Sequence, residues 1–111
     1  EKSHYFQSFQ VIQKIIENAV YNHLLFKGYK VFVGKVQNTE IDFVAEKNGE
    51  TVYLQVAYLL KDESTINREF GNLMKIKDNF PKYVISYDSL TASNTYKGII
   101  HITLSDFLLN F

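Results

Sequence analysis

Cysteine is absent from the 111 residues. Neither a disulfide nor a thiolate metal site can therefore form. An excess of positive charge is absent as well. Twelve Lys plus Arg face twelve Asp plus Glu, and residues 1–60 and 61–111 each carry six of either sign. A strong nucleic-acid footprint needs a basic excess, so only a local patch stays open. No apolar run approaches the roughly 18 residues of a membrane span, and no signal-peptide pattern opens the chain. The expectation is a soluble, cytoplasmic protein without a membrane partner. Phosphate-loop spacing is missing, so Gly34 belongs to no nucleotide cradle. No serine lies in a nucleophile-elbow pattern. His4, His23 and His101 are the only histidines and lack metal-ligand spacing, which excludes a zinc site.

What is present suits one compact domain over residues 1–111. Nine Phe and eight Tyr supply a real core. The chain opens on Glu1, so it is expected to be a piece of a longer protein.

Residues 6–27 place Phe9, Ile12, Ile16, Ala19, Val20, His23 and Leu24 at helical spacing, and Gly28 stops the helix. His23, central in that stripe, reads as a satisfied core histidine. Strands are expected at 30–36, 40–47 and 50–60. A second helix is expected over 62–79, with Asp62 or Ser64 as its cap, and Pro81 breaks the chain after it. Strands at 82–88 and 99–104 flank a polar loop, 89–98, and a short helix closes the chain over 105–111. The order α-β-β-β-α-β-β-α suggests an α/β fold with a mixed central sheet and helices on both faces.

Asn48-Gly49 between two strand-like runs is a hairpin signal, since both turn residues need positive φ. A two-residue loop pairs residues whose numbers add to 97. Asp42 then lies across from Gln55, with Cβ atoms about 5 Å apart, and Glu40 across from Ala57. By the period of two, Ile41, Phe43 and Ala45 share one face with Leu54 and Val56. Glu40, Asp42, Val44, Gln55 and Ala57 share the other. The second helix is expected over the first face, and the first helix, with Glu17 on the margin of its stripe, near the second. A helix glutamate is more often a solvated flank residue.

This layout resembles the PD-(D/E)xK nuclease superfamily: a helix Glu, a strand Asp, then a strand carrying an acid and a lysine two apart. The resemblance implies a restriction-endonuclease-like three-layer fold. The segments "EIDFVAEKNGETVYLQVAYLL", "TINREFGNLMKIKDNFPKYVIS" and "GIIHITLSDFL" are similar to the C-terminal domain of uncharacterised bacterial and archaeal ATP-binding proteins with an N-terminal AAA-type ATPase. In active superfamily members carboxylates hold Mg²⁺ or Mn²⁺, which activates water for phosphodiester cleavage. Carried over, Glu17 matches the helix acid and Asp42 the strand acid. Gln55 stands where the second acid belongs, and Ala57 where the lysine belongs.

Both departures weaken the chemistry. Magnesium prefers charged oxygen ligands, and Gln55 offers a neutral carbonyl. Losing one preorganised electrostatic group costs about 10²–10³ in rate. The resemblance thus implies an inactive nuclease-fold domain, a binding or regulatory appendage of the ATPase in the same chain, with no cofactor. One alternative is an active Mg²⁺- or Mn²⁺-dependent endonuclease on Glu17, Asp42 and Gln55, with Glu40 replacing the lost acid and Lys35 the lost cation. A third reading is a non-cleaving DNA-binding module, whose binding would fall steeply with salt. Self-association is a further option. Thr65, Arg68 and Glu69 either edge the old site or form a plain surface ion pair.

Overall fold

The computed structural model describes residues 2–60, 62–87 and 94–111, the side chains of 2–7 and of Asn94 excepted. Its elements are α1 (Lys2–Phe26), β1 (Lys30–Val36), β2 (Thr39–Lys47), β3 (Glu50–Ala57), α2 (Glu63–Met74), β4 (Lys82–Ser86), β5 (Asn94–Tyr96), β6 (Ile99–Thr103) and α3 (Leu104–Asn110). Six strands form one mixed sheet in the order β1-β2-β3-β4-β6-β5. β1, β2 and β3 are antiparallel, β4 runs parallel to both β3 and β6, and β5 is antiparallel to β6. The α/β fold with a mixed sheet between helices is therefore the one expected, with one more strand.

The Asn48-Gly49 turn holds as read. Both residues have positive φ, 55° and 82°, and Lys47↔Glu50 through Phe43↔Leu54 pair with numbers adding to 97. Two further two-residue turns escaped the reading because their residues are poorer signals. Gln37-Asn38 joins β1 to β2 and Lys97-Gly98 joins β5 to β6, each with positive φ at both positions. The second turn places β5 inside the expected polar loop 89–98, of which residues 89–93 lie outside the described residues.

Element ends differ where tertiary bonds win over local pattern. α2 begins at its Asp62 cap, whose Oδ1 accepts the Thr65 N–H at 2.8 Å. It ends at Met74 rather than continuing to 79. Lys77 N–H donates to the Gln37 side chain at 3.0 Å, and Asp78 is drawn to Tyr53 and Lys82. β3 ends at Ala57 rather than 60, because Tyr58 N–H turns to the side chain of Gln13 at 2.9 Å.

The face assignment for residue 41 needs correcting. Between the pairs Phe32↔Val44 and Gly34↔Ile41, β2 advances three residues while β1 advances two. β2 thus carries a β-bulge in which Asp42 and Phe43 oppose Val33, next to Gly34 at φ 137°. A one-residue slip turns every later side chain to the other face. Phe43 and Ala45 pack with Leu54, Val56, Ile16 and Val20, whereas Ile41 packs with Tyr53, Ala57, Phe70 and Leu73. The helices are also exchanged relative to expectation. α1 and α3 cover the Phe43–Leu54 face, and α2 covers the face that holds Ala57. The result is a three-layer arrangement.

Candidate functional site

The bulge does more than turn Ile41. Paired rungs between β2 and β3 end at Phe43↔Leu54, so neither of the expected oppositions, Asp42 with Gln55 and Glu40 with Ala57, is a paired rung. Past that rung, side chains replace backbone partners. Asp42 N–H donates to Oε1 of Gln55 at 2.7 Å, and Val56 N–H donates to Oδ2 of Asp42 at 2.8 Å. Gln13 of α1 completes the seam. Its Nε2 donates to Val56 O at 3.0 Å and its Oε1 accepts the Tyr58 N–H. Four backbone groups at the diverging strands, the N–H of Asp42, Val56 and Tyr58 and the carbonyl of Val56, are thereby satisfied, as burial requires. This is why a glutamine lies in the middle of an apolar strand: Gln55 is only 4% exposed, and its oxygen is needed by a backbone amide.

The helix acid reaches the same place. Gln13 Nε2 also donates to Oε2 of Glu17 at 3.2 Å, and Lys14 Nζ lies 3.7 Å from Oε1 of Glu17. Burial pushes the Asp42 carboxyl above its ordinary value, the Val56 N–H partly offsets this, and the charge of Glu17 adds to it. Glu69 of α2 is the acid the sequence reading undervalued. Its carboxyl is raised by burial and then by the charge of Asp42, with Arg68 opposing at 3.3 Å and Glu17 adding a smaller push. The charges of Glu17 on α1 and Asp42 on β2 thus both reach Glu69 on α2. Thr65, Arg68 and Glu69 do edge the cleft, and Arg68 and Glu69 also make the plain ion pair. The cue for Gln13 was its place one turn before Glu17, and for Glu69 its place one turn after Thr65.

Two cavities meet at Lys14 and Glu17. One, of about 560 Å³, lies between α1 and the β1–β2 hairpin and reaches Asp42, Lys35 and Glu40. The other, of about 630 Å³, lies between α1 and α2 and reaches Ala57, Arg68 and Glu69. Lys35 and Glu40 are cross-strand partners and both are exposed. They share the first cavity with Asp42 but no hydrogen bond with it is among those of the described residues. Ala57 is 4% exposed and packed against α2, so no cation stands at the lysine position.

The residues present do not fit a hard divalent ion. One oxygen of Asp42 and the oxygen of Gln55 are turned to backbone amides. Among the described residues no group of three His, Cys, Asp or Glu converges closely enough to hold a metal. The buried Ser86–His101 pair, 2.8 Å apart, is sealed from solvent at 0% and 2% exposure and can meet no substrate. The reading of His23 as a satisfied core histidine does not hold: the residue is half-buried, packs edge-on against Phe107 at 5.0 Å, and its buried Nε2 finds no hydrogen-bond partner among the described residues. Burial, then Lys27, lowers its pKa. The side chain of His4 lies outside the described residues.

No model of a known protein family matches the chain. The chain is similar to a protein of Haemophilus influenzae. That protein, described as an uncharacterized protein, is 44% identical over 94 residues, which are 85% of this chain and 22% of the relative. The chain thus spans about a fifth of the length of the curated relative it matches. Among the described residues no helix is long and apolar enough to cross a membrane.

Proposed function

We propose that this chain is a nuclease-like domain of the restriction-endonuclease type that no longer cleaves and serves a larger AAA-type ATPase as a binding or regulatory appendage. The seam at Asp42 carries the reading. Where a catalytic member would present two acids to a metal, Gln55 gives its oxygen to the Asp42 amide, and Asp42 gives one of its own to Val56. Where a lysine would face the scissile phosphate, Ala57 is buried under α2. A site without the second charge binds magnesium poorly, and one without the cation leaves the developing charge unsupported. The 22% coverage of the Haemophilus relative supports the appendage part, since a domain of this kind occurs there within a much longer chain.

The purified domain is tested with supercoiled, linear and branched DNA in Mg²⁺ or Mn²⁺. The expected result is no cleavage above that of Asp42→Ala. Cleavage that Asp42→Ala abolishes favours the second reading, an endonuclease with rearranged ligands. Glu69 supports that alternative, because it approaches the cleft from α2 and is coupled in charge to Glu17 and Asp42.

A further inference from the structure

α1 is apolar on two opposite faces. One face, carrying Ile16, Val20 and Leu24, enters the core. The opposite face carries Val11, Ile15, Leu25 and Phe26, exposed by 58%, 60%, 44% and 85%. At about 100° per residue these four fall within a stripe roughly 100° wide, with Asn18 and Asn22 between them. Helices that are apolar all round are normally buried. α1 is also longer than its own core needs. Its 25 residues span about 37 Å, yet Ile16 is the first buried residue among its described side chains. Helices draw most of their stability from packing, and Val11 and Ile15 leave more than half of their surface uncovered by the domain. At the other end α3 lies beside α1, with Phe107 against His23, and adds Leu108 and Leu109, the latter 81% exposed.

We infer that this outer face of α1, extended by Leu108 and Leu109, is the seat on which the remainder of a longer polypeptide docks. The inference rests on the reading of the domain as an appendage and adds the surface by which it is held. The occupant follows from the length of chain beyond the domain: in the Haemophilus relative the matched region is 22% of the protein. A tethered neighbour is present at an effective concentration on the order of millimolar, far above that of a free second copy in a cell. An apolar face next to such a neighbour is covered by it first. Substituting this face costs the domain itself little, because none of these side chains is part of its core.

The test compares backbone amide exchange in the 111-residue domain and in the longer polypeptide that carries it. In the longer polypeptide amides 8–15 of α1 exchange at least tenfold more slowly than in the domain alone. Val11→Ser with Ile15→Ser restores fast exchange there and leaves the amides of β3 unchanged, which shows that the fold is intact. Equal exchange of residues 8–15 in the two proteins overturns the inference. So does a concentration-dependent dimer of the isolated domain that the same double substitution dissolves, since the occupant is then a second copy. Neither readout involves metal or DNA, so a cleaving domain that docks and a non-cleaving one that does not are told apart.

Discussion

Asp42 lends its carboxylate to the Val56 amide at 2.8 Å while its own amide is held by Gln55 at 2.7 Å. One acid thus stands on both sides of a hydrogen-bond exchange that replaces the rungs lost where β2 and β3 part.

Gln55→Leu tests this seam. It leaves the Asp42 N–H facing an apolar side chain, and an unmade buried hydrogen bond costs about 1–3 kcal/mol. Urea denaturation is expected to lose that much stability, with the slope unchanged. A loss below about 0.5 kcal/mol, the lower end of what a typical intramolecular hydrogen bond contributes, would show that the glutamine is not needed there.

Much of this seam was open to reading and part was not. The Asn48-Gly49 pair sets the β2–β3 register by local turn chemistry, so it could be read directly. The bulge could not. Residues 39–47 alternate buried and exposed along most of their length whether or not the strand slips, so a period-two pattern cannot reveal that Ile41 has changed faces. Glu17, Asp42, Gln55 and Ala57 were identified from a resemblance and do come to one neighbourhood. Gln13 was not singled out and Glu69 stayed open between site edge and surface ion pair, because their roles depend on where two helices land, and neither landing is written in local spacing. Lys97 at positive φ hid the third hairpin, since a lysine is a weak sign of such a turn.

Gln13 clamps α1 to the open end of β3 through two backbone groups. Gln13→Ala removes both bonds, each worth about 0.5–1.5 kcal/mol net. Stability is expected to drop by about 1–3 kcal/mol on the same basis, and the Tyr58 amide to exchange faster than those of Leu54 and Val84. Unchanged protection at Tyr58 would contradict the clamp.

The loop after α2 sets two pH limits. Tyr53 O–H donates to Asp78 at 2.7 Å, and Lys82 donates to the other oxygen of Asp78 at 2.8 Å. Burial, with the bond to Asp78 and its charge, pushes the Tyr53 hydroxyl up to about 12. A raised folded value means this contribution is whole below the ordinary value of about 10 and is lost as pH rises toward 12. Burial alone would raise Asp78, but the bonds from Lys82, Tyr53 and the Phe80 N–H outweigh it and lower its pKa. Its contribution is present above the ordinary carboxylate value and is lost as pH falls through the lowered one. Denaturation midpoints followed across pH should fall at both ends. Tyr53→Phe shrinks the alkaline loss and Asp78→Asn the acid loss; a variant whose profile matches wild type at its own end contradicts the assignment.

Calorimetric titration with Mn²⁺ tests the central claim most directly. Wild type and the Gln55→Glu, Ala57→Lys double variant are compared, with Asp42→Asn as the control. The account predicts no saturable heat from wild type in the micromolar range and a measurable site in the double variant that Asp42→Asn removes. Micromolar binding by wild type, lost on Asp42→Asn, would contradict it.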